Sequence, residues 1–177
     1  MAVQIGARPD SGFDDPIGML KDCHRRVEHF LDILCRVVSE APGRALNSGE
    51  QSAIEAALRY FSESGPRHNM DEEESLFPRL RNMNATAVLA EVRRLESEHR
   101  HATTLHDQIA DLYSRWIRES CLNPDETTRL HSITHNLRDL YRDHIQIEEE
   151  VVFPFAARLL DRNALATIGV EFKLRRT

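Results

Sequence analysis

Two stretches of the sequence place a histidine and a glutamate four residues apart, and each continues into the same run of acids and a Phe-Pro pair. Residues 68–78 and 144–154 both read H-x-x-x-E-E-E-x-x-F-P. Because residues four apart lie above one another on an α-helix, each stretch aims one imidazole and one carboxylate at the same place. The two pairs are His68 with Glu72 and His144 with Glu148.

Two more histidines lie in the middle of predicted apolar helix faces. His24 and His99 each follow a leucine by four residues, and their spacing nearly matches that of the two motifs. The chain is therefore predicted to consist of two similar helical hairpins related by an approximate internal two-fold. In an antiparallel bundle the four imidazoles and two carboxylates would meet in the core.

Such a buried cluster predicts a pair of metal ions. A single histidine on an apolar face is more often an ordinary core residue, but burying all six groups without metal would leave several polar groups unpaired. Each unpaired group costs about 1–3 kcal/mol. Divalent cations remove that cost, because imidazole suits iron, zinc and copper, and carboxylates can bridge two ions. The predicted metal ligands are His24, His68, Glu72, His99, His144 and Glu148.

The other histidines and acids near the motifs are predicted to lie outside the ligand set. His106 is on the same face as His99 but about 10.5 Å further along the axis, so it is expected to be a core residue or to lie behind the ligands. The histidines predicted to be at the surface are His29, His101, His131 and His135. The later acids of the two triplets are expected to point away from the ligand face: Glu73, Glu74, Glu149 and Glu150.

Start and stop signals predict the first two helices. Asp15 followed by Pro16 is typical of a helix start, and this helix should end at about Glu40. Ser48 with Gln51 resembles a capping box that opens the second helix.

The remaining helices follow from similar signals. The second helix is expected to bend at Pro66, because proline lacks the N–H and crowds the preceding turn, and to reach about Arg81. A third helix is predicted to start at residues 84–86 and a fourth at residues 123–124, where an Asn-Pro pair repeats the start signal. A short helix is predicted to run from Asp161 to about Gly169.

These elements predict an all-α protein: an antiparallel up-down-up-down four-helix bundle with a short C-terminal helix. Residues 1–12, with two glycines, a proline and no apolar periodicity, are expected to be a flexible N-terminal arm. Residues 13–177 would form the bundle as one domain, since 177 residues are enough for a single core.

The composition excludes some classes of partner. A net charge of −6 gives no reason to expect nucleic acid, and no stretch approaches the ~18 apolar residues needed to cross a bilayer. The cysteines are 3 in number, without disulfide-like spacing, which favours a reducing compartment. A cytoplasmic protein without membrane contact, either a monomer or a weak dimer, is expected.

The order of these motifs resembles the hemerythrin-like HHE cation-binding domain. The resemblance covers about residues 13–172 and is carried by the doubled H-x-x-x-E, the histidine before each copy and the E-E-x-x-x-P continuation. It implies a four-helix bundle with a non-haem di-iron centre: two Fe ions, oxo- or hydroxo-bridged when oxidised, with Glu72 and Glu148 bridging. It does not imply the ferritin type, whose signature is E-x-x-H on two helices.

One position departs from the oxygen-carrying members of that family. Those have a second histidine four residues after the one on the third helix, where this chain has Thr103. A threonine hydroxyl is a poor replacement for an imidazole nitrogen. One metal is therefore expected to keep an open coordination position, and the reduced protein is expected to be oxidised by O₂ rather than to carry it.

Two residues one turn from the ligands could add to the site. Glu28, one turn after His24, could supply a carboxylate or form a salt bridge with an arginine. Tyr141, one turn before His144, could donate to a bound oxygen ligand, or could pack in the core with its hydroxyl on a backbone group.

Three functions are compatible with this sequence. The first, which we favour, is a non-haem di-iron-binding protein that binds O₂, NO or iron itself for sensing, storage or protection, with peroxide as a further small ligand. The second is a di-iron enzyme with oxidase, peroxidase or NO-reducing activity. The third is a zinc-binding structural bundle.

Overall fold

The structure is a computed structural model that describes residues 10–83 and 86–177, and the regular structure of these residues is helical throughout. The helices in chain order are α1 (Pro16–Glu40), α2 (Ser48–Glu63), α3 (Gly65–Met70), π1 (Asp71–Leu76), α4 (Phe77–Asn82), α5 (Leu89–Glu119), α6 (Pro124–Ile147), π2 (Glu148–Val152), α7 (Phe153–Leu159) and α8 (Arg162–Leu174).

These helices form four long rods: α1, the run from α2 to α4, α5, and the run from α6 to α7. Helix α1 packs against α2 and α6, and α5 packs against the same two helices. Consecutive rods are therefore neighbours around a square, joined by short connections. This confirms the predicted all-α four-helix bundle with a C-terminal helix, which is α8.

The bundle core is divided into two apolar clusters. One cluster contains Leu34, Ile54 and Trp116, and the other contains Leu80 and Phe172. On every rod the predicted metal ligands fall between residues of the first cluster and residues of the second. The polar groups thus form a layer with apolar side chains above and below it.

Two predicted helix starts are confirmed. The Asp15 carboxylate caps α1 by accepting a hydrogen bond from the Gly18 N–H at 2.9 Å. At the start of α6, the side chains of Asn123 and Glu126 each accept a hydrogen bond from the other's backbone N–H. Both devices satisfy donors that the first turn of a helix leaves unpaired.

The predicted capping box of Ser48 and Gln51 is wrong by one residue. Asn47 is the cap, its side chain accepts from the Glu50 N–H at 2.9 Å, and the Glu50 carboxylate accepts from the Asn47 N–H at 2.9 Å. Asparagine is at least as good a cap as serine. Arg44 also holds the Glu50 carboxylate, at 2.7 Å, which favours this pairing.

The second rod breaks, and the third helix starts later than predicted. Helices α2 and α3 are separated by Ser64, two residues before the proline that was expected to bend the rod. The rod ends at Asn82, close to the prediction. Of the predicted start of the third helix, residues 84 and 85 lie outside the described residues, Thr86 is in a turn, and α5 begins at Leu89.

The prediction of a flexible arm over residues 1–12 is only partly covered by the structure. Residues 1–9 lie outside the described residues. Residues 10–12 have no regular secondary structure, and the Asp10 carboxylate lies 2.6 Å from an Arg26 guanidinium nitrogen.

The predicted end of the C-terminal helix at Gly169 is wrong. Helix α8 continues to Leu174. The glycine is required for close approach instead, since a Cβ added there would lie 1.9 Å from the backbone carbonyl oxygen of Phe13. The segment before α1 therefore packs directly on the backbone of α8.

We expect Gly169→Ala to destabilise the protein by about 1–3 kcal/mol, because the methyl group would force Phe13 away from α8. The matched control is Gly65→Ala, where a Cβ would meet no atom within 4 Å and the helix gains up to about 1 kcal/mol. Urea unfolding of both variants checks this. Equal midpoints for Gly169→Ala and the parent would contradict the close approach.

Candidate metal centre

Each of the two sequence motifs contains a π-helical turn. The N–H groups of Phe77 and Phe153 donate to the carbonyls of Glu72 and Glu148, five residues earlier. A proline follows each phenylalanine, and its ring crowds the carbonyl four residues before it. The wider π turn relieves this conflict while keeping the rod continuous.

The π turn changes where the second acid of each triplet points. Glu73 Oε1 lies 2.7 Å from His99 Nδ1, and Glu149 Oε1 lies 2.8 Å from His24 Nδ1. The prediction that these two acids point away is wrong, because a residue in a π-helix turns through a smaller angle than in an α-helix and stays near the ligand face. The third acid of each triplet is exposed, as predicted, in Glu74 and Glu150.

The structure brings the six predicted ligands together as two groups of four that share both glutamates. The first group adds His24 and His68 to Glu72 and Glu148. His24 Nε2 lies 3.0 Å from Glu148 Oε2, and His68 Nε2 lies 3.5 Å from Glu72 Oε1. One potential ligand atom from each residue lies within 4.8 Å of the others.

The second group adds His99 and His144 to the same glutamates. His99 Nε2 lies 3.3 Å from Glu72 Oε2, and His144 Nε2 lies 3.2 Å from Glu148 Oε1. The two Nε2 atoms are 3.1 Å apart. Each glutamate therefore directs one oxygen to the first group and the other oxygen to the second.

These spacings fit a metal ion in each group. Two ligand atoms bound at about 2.1 Å are about 3.0 Å apart at a right angle and about 3.4 Å apart at the tetrahedral angle. Within the described residues, neither oxygen of Glu72 or Glu148 has a hydrogen-bond partner, and neither does His24 Nε2, although it lies 3.0 Å from Glu148 Oε2. Such orphaned groups, fully buried, are what bound cations would satisfy.

A second layer of carboxylates orients three of the four histidines. Besides Glu73 and Glu149, Glu98 Oε2 lies 3.0 Å from His144 Nδ1. A carboxylate on Nδ1 holds the proton there and leaves Nε2 free to bind a metal. Sequence reasoning missed Glu98, since it sits at the edge of the apolar face of α5 and acts on a different helix.

The fourth histidine, His68, has no such partner. Its Nδ1 is buried and makes no hydrogen bond with a described residue. The internal two-fold relates His144 to His68 and Glu98, the residue before His99, to Cys23, the residue before His24. Cys23 has no carboxylate that could orient His68 as Glu98 orients His144. The internal two-fold is therefore broken at this position.

The phenylalanine of each motif covers a histidine from another rod. Phe153 stacks on His24 with ring centroids 5.4 Å apart, and Phe77 is parallel to His99 with centroids 6.4 Å apart. These rings shield the two groups from water, so each motif supplies a glutamate, an orienting acid and an apolar cover.

The carboxylates perturb the histidines strongly when no metal is bound. Burial alone lowers the pKa of His24, but its contacts with Glu148 and Glu149 outweigh burial and raise the pKa to about 9. His99 behaves in the same way: burial is outweighed by Glu72 and Glu73, and its pKa rises to about 10. Burial holds the pKa of His68 well below its usual range.

The remaining histidines confirm the surface assignments in part. His29, His101 and His131 are exposed, and His135 is half-buried. His106 is half-buried and lies outside both ligand groups. The hydroxyl of Tyr141 is 3.0 Å from His106 Nε2 rather than on the predicted backbone group, and its contact with a bound oxygen ligand stays a prediction.

Two further residues do not join the ligand groups. Glu28 is exposed and lies outside both of them, and it forms no ion pair with an arginine in the described part of the chain. The Thr103 hydroxyl donates to the His99 carbonyl at 2.9 Å, so it is engaged with its own helix.

Residues directly after helix α8 form ion pairs with the first motif. Asp71, fully buried beside Glu72, is paired with Arg175 at 3.0 Å and with Arg176 at 2.6 Å, both immediately after α8. Asp71 was not predicted to matter, and its role depends on where α8 packs.

The fold and the buried clusters define a class: a helical bundle whose core layer of histidines and glutamates can bind metal ions. Comparison with protein families matches residues 15–156 to the hemerythrin HHE cation-binding domain. The chain belongs to this family, as the motifs predicted, and the family together with the clusters supports a metal-binding protein. Comparison with curated proteins gave no match. Among the described residues, no helix is both long enough and apolar enough to span a bilayer.

We expect Glu149→Gln to weaken metal binding about 10- to 100-fold, because the loss of the carboxylate leaves the His24 imidazole less firmly oriented and less basic. Glu150→Gln is the matched control, since the neighbouring side chain is exposed. Competition with a chelator of known affinity measures both. Equal metal affinities for the two variants would contradict an orienting role for Glu149.

Metal uptake should release protons and strengthen with pH. With pKa values of about 9 and about 10, His24 and His99 are protonated at neutral pH without metal, and a metal can bind only the neutral imidazole. In the metal-free protein, the contacts of protonated His24 and His99 with the carboxylates stabilise the folded state. This stabilisation is complete below the unfolded-state pKa near 6.5 and is lost as the pH rises through the folded-state values of about 9 and about 10.

Adding zinc to the metal-free protein at neutral pH should therefore release at least about two protons per chain, because the pKa of Glu72 is also raised, to about 7, and this release can be measured in weakly buffered solution. The apparent affinity should rise as the pH is raised from neutral. An affinity that is independent of pH in this range would contradict protonated His24 and His99 in the metal-free protein.

Proposed function

We propose that the protein binds two iron ions through His24, His68, Glu72, His99, His144 and Glu148. The observation that carries the proposal is the sharing of both glutamates, each of which offers one oxygen to each histidine pair. Shared carboxylates suit two metals held close together. A set of ligands that contains only nitrogen and oxygen donors, without sulfur, is compatible with iron.

An open metal site distinguishes this proposal from a structural zinc bundle. Four donors could close a tetrahedral zinc site, but an iron ion of higher coordination number would keep positions for other ligands. The second group adjoins a cavity lined by Thr103 and Tyr141, neighbours of its two histidines along the chain. A purely structural zinc site would not need space beside it, so the cavity supports iron over zinc, although the six ligands themselves do not line it.

The residues around the centre have three roles: binding the ions, orienting the histidines and excluding water. Glu72 and Glu148 would hold both ions, while Glu73, Glu98 and Glu149 keep the Nδ1 protons on their histidines. Phe77 and Phe153 exclude water from one side. An iron pair would supply redox chemistry and positions for small ligands.

The function that fits this centre is binding of O₂, NO or iron itself for sensing, storage or protection, with peroxide as a further small ligand. The resemblance to the family, the buried centre and the adjoining cavity support it. The overall negative charge and three free cysteines are compatible with the proposed cytoplasmic location.

We expect the parent to contain about two irons per chain, and Glu72→Ala to lose most of both, because the shared carboxylate contributes to each group. Glu74→Ala, two residues further on and exposed, is the control. Metal analysis and visible absorption of the purified proteins check this, since zinc is colourless. Two tightly bound irons in Glu72→Ala would contradict bridging, and zinc in the parent would contradict iron.

A further inference from the structure

A cavity of about 490 Å³ lies between the second rod and α5. Its walls include Leu58, Phe61 and Gly65 on one side and His106 and Ile109 on the other. Gly65, the first residue of α3, leaves space in this wall, since it contributes no side chain and a Cβ there would meet no atom within 4 Å.

The cavity adjoins the second metal group. Thr103, one turn after His99, lines it, and so does Tyr141, one turn before His144. The rings of Tyr141 and His144 have centroids 6.1 Å apart. The six predicted ligands themselves do not line the cavity, and Asn69, which follows His68 of the first group, lines it as well.

Two of the polar groups that line the cavity, His106 and Tyr141, carry no charge at neutral pH. Burial lowers the pKa of His106 to about 4, and an ordinary tyrosine hydroxyl is already neutral there. The two are joined by a hydrogen bond of 3.0 Å. The pair can exchange hydrogen bonds with a ligand, whereas Asp107 at the cavity disfavours an anion.

The volume is far larger than a diatomic molecule requires. A water molecule takes about 30 Å³ in the liquid, whereas pockets for organic ligands range over about 300–1,000 Å³. The apolar walls suit a hydrocarbon body, and the tyrosine–histidine pair suits a single polar end.

We propose that this cavity binds a small uncharged organic molecule, with an apolar body and one oxygen-containing end, beside the metal centre. The proposal deepens the proposed function, since its relevance to the metal centre rests on that function. It adds an organic ligand to a site otherwise expected to take only very small molecules.

Three probes of similar size test the proposal by calorimetry on the protein as purified: benzyl alcohol, benzoate and toluene. Benzyl alcohol should bind once per chain, and benzoate at least about tenfold more weakly, because a carboxylate would be buried without a cation. Tyr141→Phe should weaken benzyl alcohol about 2- to 12-fold, which corresponds to one hydrogen bond, and leave toluene unchanged.

Filling the cavity provides the second arm of the experiment. Gly65→Phe should abolish binding of benzyl alcohol, whereas Gly65→Ala should retain it. If Gly65→Phe does not fold, Ala110→Leu on the other wall takes its place. No binding of benzyl alcohol to the parent, benzoate binding as tightly as benzyl alcohol, or unchanged binding in the filled variant would overturn the proposal.

Metal analysis of the same samples separates the two proposals. A parent that contains iron but does not bind benzyl alcohol overturns the organic ligand and leaves the di-iron function standing. A parent that binds benzyl alcohol but contains no iron overturns the di-iron function and leaves the cavity as a binding site.

Discussion

The burial of two carboxylates, Glu72 and Glu148, is the constraint on which the rest of this structure depends. Both are fully buried, and their oxygens find no hydrogen-bond partner in the described part of the chain. Without metal, protonated His24 and His99 offset part of this charge, and whatever stays uncompensated costs several kcal/mol. Two cations lying between the carboxylates and four imidazoles would offset that cost only in the folded bundle, so metal binding and folding would stabilise each other.

The bundle encloses this polar layer between apolar side chains. Apolar clusters lie on both sides of it, and the phenylalanine rings of the two motifs cover His24 and His99. The orienting acids lie at the edge of the layer, where Glu73 and Glu149 keep about a third of their surface exposed. The carboxylates that orient the histidines, and would not bind metal themselves, therefore remain partly hydrated, which lowers the cost of placing their charge near the core.

The two halves of the molecule are similar but not equivalent. Glu98 supports His144, whereas Cys23 stands at the corresponding place and leaves His68 Nδ1 alone. The cavity is lined by Thr103 and Tyr141, each one turn from a histidine of the second group, and also by Asn69, which follows His68 of the first group. Two ions bound here would thus have unequal surroundings, because carboxylates orient both histidines of the second group but only His24 in the first.

The sequence by itself determined the helices, the class of fold and the six residues that meet in the core. Helical periodicity is a local property, and the doubled motif repeats it closely enough to identify one face on each rod. The family followed from the same motifs. Capping residues and prolines close to the helix ends predicted most of those ends. At α2 the cap is Asn47 rather than Ser48, because Asn47 pairs with Glu50, which Arg44 also contacts.

Only the tertiary structure decided how the groups around the ligands are arranged. Counting at the α-helical angle predicts Val151 in the core, but the π turn leaves it 42% exposed and buries Val152. The same turn brings Glu149 back to His24. The pairing of Glu98 with His144, the anchoring of Asp71 by residues after α8 and the cavity beside Thr103 all join distant segments. Their formation depends on how rods pack, and periodicity along one helix carries no information about that.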